Sequence, residues 1–161
     1  MRSRILTGLG LVAAFYLGWS LHGDRDVALA QARNKPIMMT RLYTGADGMT
    51  HSEEIPMMLT ASGTSTMKAT SVEFSRRPPG PASDWHVGPR RQFVITLAGR
   101  AELEVAGGKK VEVGPGHINL IEDTTGKGHI TRNFGPDDRV VLTIPLADGV
   151  VIDGTRTPRT R

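Results

Sequence analysis

Polar and apolar residues alternate through the middle of this chain and not at its ends. Ala101-Glu102-Leu103-Glu104-Val105 puts its glutamates on one face and its apolar residues on the other, the period of a half-buried strand. Gly107-Gly108 then turns the chain, and Lys109-Lys110-Val111-Glu112-Val113 returns it as a hairpin. Glu102 and Glu104 can face lysines across that hairpin, a solvated pairing worth little. Similar short runs predict strands at 38–44, 54–60, 70–76, 93–97, 101–105, 110–113, 118–121, 129–133 and 139–145. Clusters such as Gly45-Ala46-Asp47-Gly48, Pro78-Pro79-Gly80-Pro81 and Gly114-Pro115-Gly116 punctuate them. No helical period stands out between Pro36 and Pro145.

Many short strands at this spacing predict an all-β sandwich or barrel around one core. Alternation assigns that core to Val72, Phe74, Val94, Leu97, Leu103, Val105, Val111, Val113, Ile118, Leu120, Val141 and Ile144. The length of 161 residues suits a single domain, expected over 36–147.

The ends belong to different classes. Met1-Arg2-Ser3-Arg4 is positive, residues 5–21 are apolar or small, and Ala28-Leu29-Ala30-Gln31-Ala32 offers small-residue cleavage positions. Residues 1–32 therefore read as an export signal or a membrane anchor. The apolar run is longer than a usual signal core and reaches the lower limit for a membrane-spanning helix, so cleavage and retention both stay open. Either way the folded part is expected outside the cytoplasm, in a periplasmic space or held at the inner membrane. A buried N-terminal helix of a cytosolic protein is the plainer alternative. Residues 155–161 carry three arginines and no apolar residue, the composition of a disordered tail.

Charge and cysteine content narrow the chemistry. The net charge of +4 is concentrated in arginines at the two ends, so a pI near 9.8 does not argue for a nucleic-acid partner. Aromatic residues are too few for a base-stacking platform. Cysteine is absent, which excludes disulfides, thiolate catalysis and Cys-rich zinc sites.

Two segments carry candidate chemistry. The first runs Trp85-His86-Val87-Gly88-Pro89-Arg90-Arg91-Gln92, with Gly80 before it and Gly99 after it. The second runs Glu122-Asp123-Thr124-Thr125-Gly126-Lys127-Gly128-His129, with Asn133 beyond. The spacings resemble the paired signatures of cupins, small double-sheet jelly rolls. More narrowly, the chain is similar to small bacterial cupin-type proteins whose chemistry is not established. Asp47-Gly48-Met49-Thr50-His51-Ser52-Glu53 adds to that likeness, which covers roughly residues 41–146.

The resemblance implies an all-β jelly roll with a ligand-holding barrel, and a homodimer through an added edge strand. It also implies a divalent metal (Fe, Mn, Ni or Zn) held by His86, Gln92 and His129. The family pattern offers three histidines and a glutamate; here Gly88 and Gln92 stand at two of those positions. Two imidazoles and a carboxamide would hold a dication more weakly than a set with a carboxylate. Asp123, His51 or Glu53 could complete the set from a folded-over loop. The plain alternative is a set of barrel residues hydrogen-bonded to one another or to water. Without metal, His86 or His129 could move a proton, and Arg90, sharing strand parity with Gln92, could clamp a ligand carboxylate. Asp84 or Asp123 could orient an imidazole. Trp85 is expected at the pocket mouth, His51 at the surface and His117 in solvent.

The functional expectation is a small polar molecule bound or transformed in the barrel, with oxygenase, isomerase or lyase chemistry all compatible. A non-catalytic binding module that has lost its metal is the alternative, and a structural envelope protein a third. Fold alone does not choose among them.

Overall fold

The computed structural model describes residues 36–57, 59, 63 and 65–152. Contacts divide the chain into Met1–Pro36 and Ile37–Arg161, and the fold described is that of the second unit. The export or anchor segment at 1–32 and the tail at 155–161 lie outside the described residues. No helix among the described residues is long and apolar enough to cross a membrane.

The strands are β1 (Met38–Thr44), β2 (Thr50–Pro56), β3 (Glu73–Arg77), β4 (Gln92–Ala98), β5 (Arg100–Glu104), β6 (Lys110–Val113), β7 (Ile118–Glu122), β8 (Ile130–Phe134) and β9 (Arg139–Pro145). They form a six-stranded sheet in the order β2-β1-β7-β4-β9-β3 and a three-stranded sheet in the order β6-β5-β8. The all-β expectation holds. The hairpin drawn from alternation is β5–β6, and Lys110 meets Glu102 at 2.8 Å across it.

The boundary of β2 differs from expectation for a local reason. Gly45 N–H donates to the Met49 carbonyl, a turn that pairs Thr44 with Thr50. The polar residues Thr50 to Glu53 are thereby drawn into the ladder, although their pattern alone carries no strand signal.

The large sheet is covered on both faces. Leu42, Ala101, Leu103, Val105, Val113 and Ile121 pack between the two sheets. Met39, Ile55, Phe93, Leu120, Leu146 and Ile152 pack on the opposite face. Neighbours such as Leu120 and Ile121 therefore serve different cores, each buried side chain contributing about 2 kcal/mol. Because Ile152 is buried in the outer core, the packed region extends beyond residue 147.

Three predicted core residues are not core. Val72, Phe74 and Leu97 are 59%, 71% and 45% exposed. β3 is the terminal strand of its sheet, and the outer cover does not reach Phe74.

An ion-pair network joins the two signature segments. Glu122 accepts from Arg41 Nε at 2.7 Å and from Arg91, while Arg41 also reaches Glu53 at 2.7 Å. Arg91 further donates to the Val150 carbonyl, tying down the chain after β9. Both Arg41 and Glu122 are largely withdrawn from water. Removing the Glu122 charge leaves Arg41 with one carboxylate partner, Glu53, so Glu122→Gln should cost about 2 kcal/mol in urea denaturation.

His117, expected in solvent, is instead partly withdrawn from it. It is half-buried, and its Nε2 lies 2.9 Å from Thr40 Oγ1, whose hydroxyl donates to Glu54. Burial pushes its pKa below the ordinary value of 6.5, with the Glu54 charge opposing the shift and Arg139 adding to it. The unfolded chain then takes up the proton first. The stabilisation is full above about pH 6.5 and is lost as pH falls through that value toward the folded pKa. Denaturation midpoints of wild type should fall between pH 7.5 and 5.5 by more than those of His117→Asn.

Candidate functional site

The two signature segments meet directly. His86 and His129 form an isolated antiparallel bridge, His86 N–H donating to the His129 carbonyl at 3.0 Å and the reverse bond measuring 2.8 Å. Their rings lie 4.5 Å apart with planes inclined by 52°. Gly128 makes this approach possible. Its φ is +80°, and a Cβ there would stand 2.0 Å from the His86 carbonyl oxygen. The glycine before the second histidine is thus a packing requirement of the histidine pair.

Each ring is oriented by its Nδ1. His129 Nδ1 lies 2.6 Å from Asp123 Oδ2, which also accepts from Thr50 Oγ1 at 3.0 Å. Asp123 is fully buried and His129 nearly so. His86 is exposed, with Nδ1 2.9 Å from the Asp84 carbonyl and 3.2 Å from Ser83 Oγ. A carbonyl can only accept, so His86 carries its proton on Nδ1. The carboxylate sets the same tautomer in the neutral form of His129, and in that form each ring carries its lone pair on Nε2. Of the two aspartates considered as orienters, Asp123 acts through its side chain and Asp84 through its backbone.

Both histidines line a cavity of about 180 Å³ between the sheets, room for several waters or a compact organic molecule. Gln92, Asn119, Thr131 and Thr143 add polar groups to its wall, and Val94, Leu103, Ile121 and Val141 add apolar ones. Gln92 Oε1 is buried with no hydrogen-bond partner among the described residues, and the buried Asn119 amide has only a loose partner in His117. Such groups are costly unless a ligand or water satisfies them.

Arg90 is not in this cavity. β4 begins at Gln92, so the parity argument fails for residues 89–91, and Arg90 is exposed and paired with Glu73 at 2.5 Å. The cavity arginine is Arg139, which lines it and is only 5% exposed. Nε and Nη2 of Arg139 reach Thr96 Oγ1 at 3.3 and 3.1 Å. Burial, and secondarily the Arg77 charge, lower its pKa to about 10, so it stays cationic at neutral pH. Sequence reasoning missed Arg139 and Asn119. Parity groups Arg139 with Val141 and Thr143 on one face of β9, but the sequence does not tell which face of that strand lines the cavity.

The other candidates lie apart from the cavity wall. His51, near the start of β2, pairs with Asp47 of the β1–β2 turn at 3.0 Å, and Glu53 is bonded to Arg41. Trp85 is half-buried with Lys127 Nζ 4.0 Å from its ring centre. It borders a shallow depression that it shares with His86.

The donors available for a metal are the two Nε2 atoms and Gln92 Oε1, all uncharged. No group of three His, Asp or Glu residues among the described residues could hold an ion. Position 88 cannot supply more, because a Cβ on Gly88 would meet Ile121 Cγ2 at 2.4 Å. With Arg139 in the same wall, this set does not fit a tightly held divalent cation.

No family model matches this chain, and no curated protein matches it. Among solved structures, it is similar to a chain described as a "putative mannose-6-phosphate isomerase" from Ralstonia eutropha JMP134, with 16% identity and a TM-score of 0.32. That alignment covers 70% of this chain and 87% of the other.

Proposed function

We propose that the barrel cavity binds a small polar molecule and that His129, oriented by Asp123, moves a proton on it. The observation that carries this reading is the buried Asp123–His129 pair beside a cavity whose wall holds the unpartnered Gln92 Oε1. With Nδ1–H held by the carboxylate, Nε2 can accept a proton, and Asp123 stabilises the imidazolium that results. This is the chemistry of an isomerase or lyase. His86, exposed at the mouth, is placed to exchange that proton with water.

A second reading keeps the divalent metal, and the unpartnered Gln92 Oε1 favours it. His86, Gln92 and His129 would hold the ion. The weak donor set makes its occupancy depend on charge brought by the ligand. Metal analysis of tag-free protein separates the readings. One ion per chain, lost in His86→Ala and His129→Ala, would support the metal; none after loading would remove it.

In the same proposal the domain works outside the cytoplasm, delivered by residues 1–32. It pairs with a second copy along the free edge of β3, where Val72 and Phe74 are exposed. N-terminal sequencing of the exported protein and its mass in solution test these two points.

The cavity itself is tested by a thermal-shift screen of small polar molecules against wild type and His129→Ala. Compounds that raise the melting temperature of wild type alone are expected. Equal stabilisation of both proteins, or of neither, would contradict the reading. Exchange of a ligand C–H with deuterated water, lost in His129→Ala, would separate catalysis from binding.

A further inference from the structure

We propose that the ligand of this cavity is an organic anion, its carboxylate or phosphate head held by Arg139 with Arg77 beside it. The inference rests on the cavity reading above and adds the chemical class of the ligand.

The comparison that carries it lies within the chain. Arg41 and Arg139 are equally withdrawn from water, at 6% and 5% exposed. Arg41 meets two carboxylates, Glu53 and Glu122. Arg139 meets a threonine hydroxyl and no carboxylate among the described residues. A buried charge without a counter-charge costs several kcal/mol in an ordinary protein interior. The exposed Arg76, Arg90 and Arg100 all have acidic partners, although they need them less.

The surroundings deepen the imbalance. Arg77 stands directly opposite Arg139 in the β3–β9 ladder and also lines the cavity. Among the described residues, no Asp or Glu contributes to the cavity wall. Two guanidinium groups thus repel each other where a compact anion would relieve them. Thr96 occupies the Nε–Nη2 edge of Arg139, which leaves Nη1 and the outer Nη2 hydrogen for two parallel bonds to an oxyanion. Gln92, whose buried Oε1 has no partner among the described residues, and the buried Asn119 amide lie in the same wall and offer donors and acceptors to hydroxyl or carbonyl groups on the body of the ligand.

Titration calorimetry with matched probes tests this: lactate against lactamide, and glycerol 1-phosphate against glycerol. At least one anion is expected to bind, with its neutral counterpart about tenfold weaker or worse, and the better anion tells carboxylate from phosphate. Arg139→Met should abolish anion binding yet raise the melting temperature of the ligand-free protein by about 4 °C, because an uncompensated charge is gone. Arg77→Gln, altering an exposed side chain, should weaken the anion and leave the fold intact. Neutral probes binding as well as anions, and still lost in His129→Ala, would overturn the anionic class while the cavity reading survives. Failure of every probe would count against both. An Arg139→Met protein that melts lower, or binds anions unchanged, would overturn the role of Arg139.

Discussion

Gly128→Ala should destabilise the protein by about 3–5 kcal/mol and separate the two histidines. Two effects combine at this position. An alanine at φ +80° is strained by about 1–2 kcal/mol. Its Cβ would also fall 2.0 Å from the His86 carbonyl oxygen and 2.2 Å from the carbonyl carbon, so backbone rather than a flexible side chain must move. The two hydrogen bonds of the His86–His129 bridge break with that movement. Gly107→Ala is the control, since its φ is +71° but nothing lies within 4 Å of the added Cβ. It should cost about 1 kcal/mol. Equal denaturation midpoints for the two variants would show that close approach at Gly128 is not what holds the site together.

Asp123→Ala should cost about 3 kcal/mol, and Asp123→Asn much less. The alanine leaves two buried donors, Thr50 Oγ1–H and His129 Nδ1–H, without their acceptor. The asparagine keeps an acceptor oxygen of similar shape but removes the carboxylate charge beside His129 Nδ1. Any proton transfer by the cavity should then fall by about 100-fold or more in a well-folded Asp123→Asn protein. Unchanged transfer in that variant would remove His129 from the mechanism. A large loss of stability instead would make Asp123 chiefly a folding residue.

These effects show how the sequence signatures divide between architecture and chemistry. In Glu122-Asp123, one carboxylate anchors Arg41 and Arg91, and the other orients His129. The meeting of His86 with His129 was legible because residue spacing and glycine positions survive in the sequence as a pattern. Arg90 was misplaced because strand parity was extended from Gln92 back to Arg90, ahead of the residue where β4 begins. Arg139 went unnoticed because its strand has apolar residues of both parities. Val141 faces the cavity and Ile144 the outer core, so alternation could not say which face held the site. The same double coverage explains the exposed Phe74: β3 lies at an edge that the outer cover does not reach. His117 could be read as solvated only while Thr40 and Glu54, both distant in sequence, were out of view.

Long-range proton–nitrogen NMR of the imidazole rings in the full chain tests the central claim most directly. Both His86 and His129 should appear as Nδ1–H tautomers with unprotonated Nε2 at mildly alkaline pH, with nuclear Overhauser contacts between the two rings. An Nε2–H tautomer in His129, or no contact between the rings, would contradict the account.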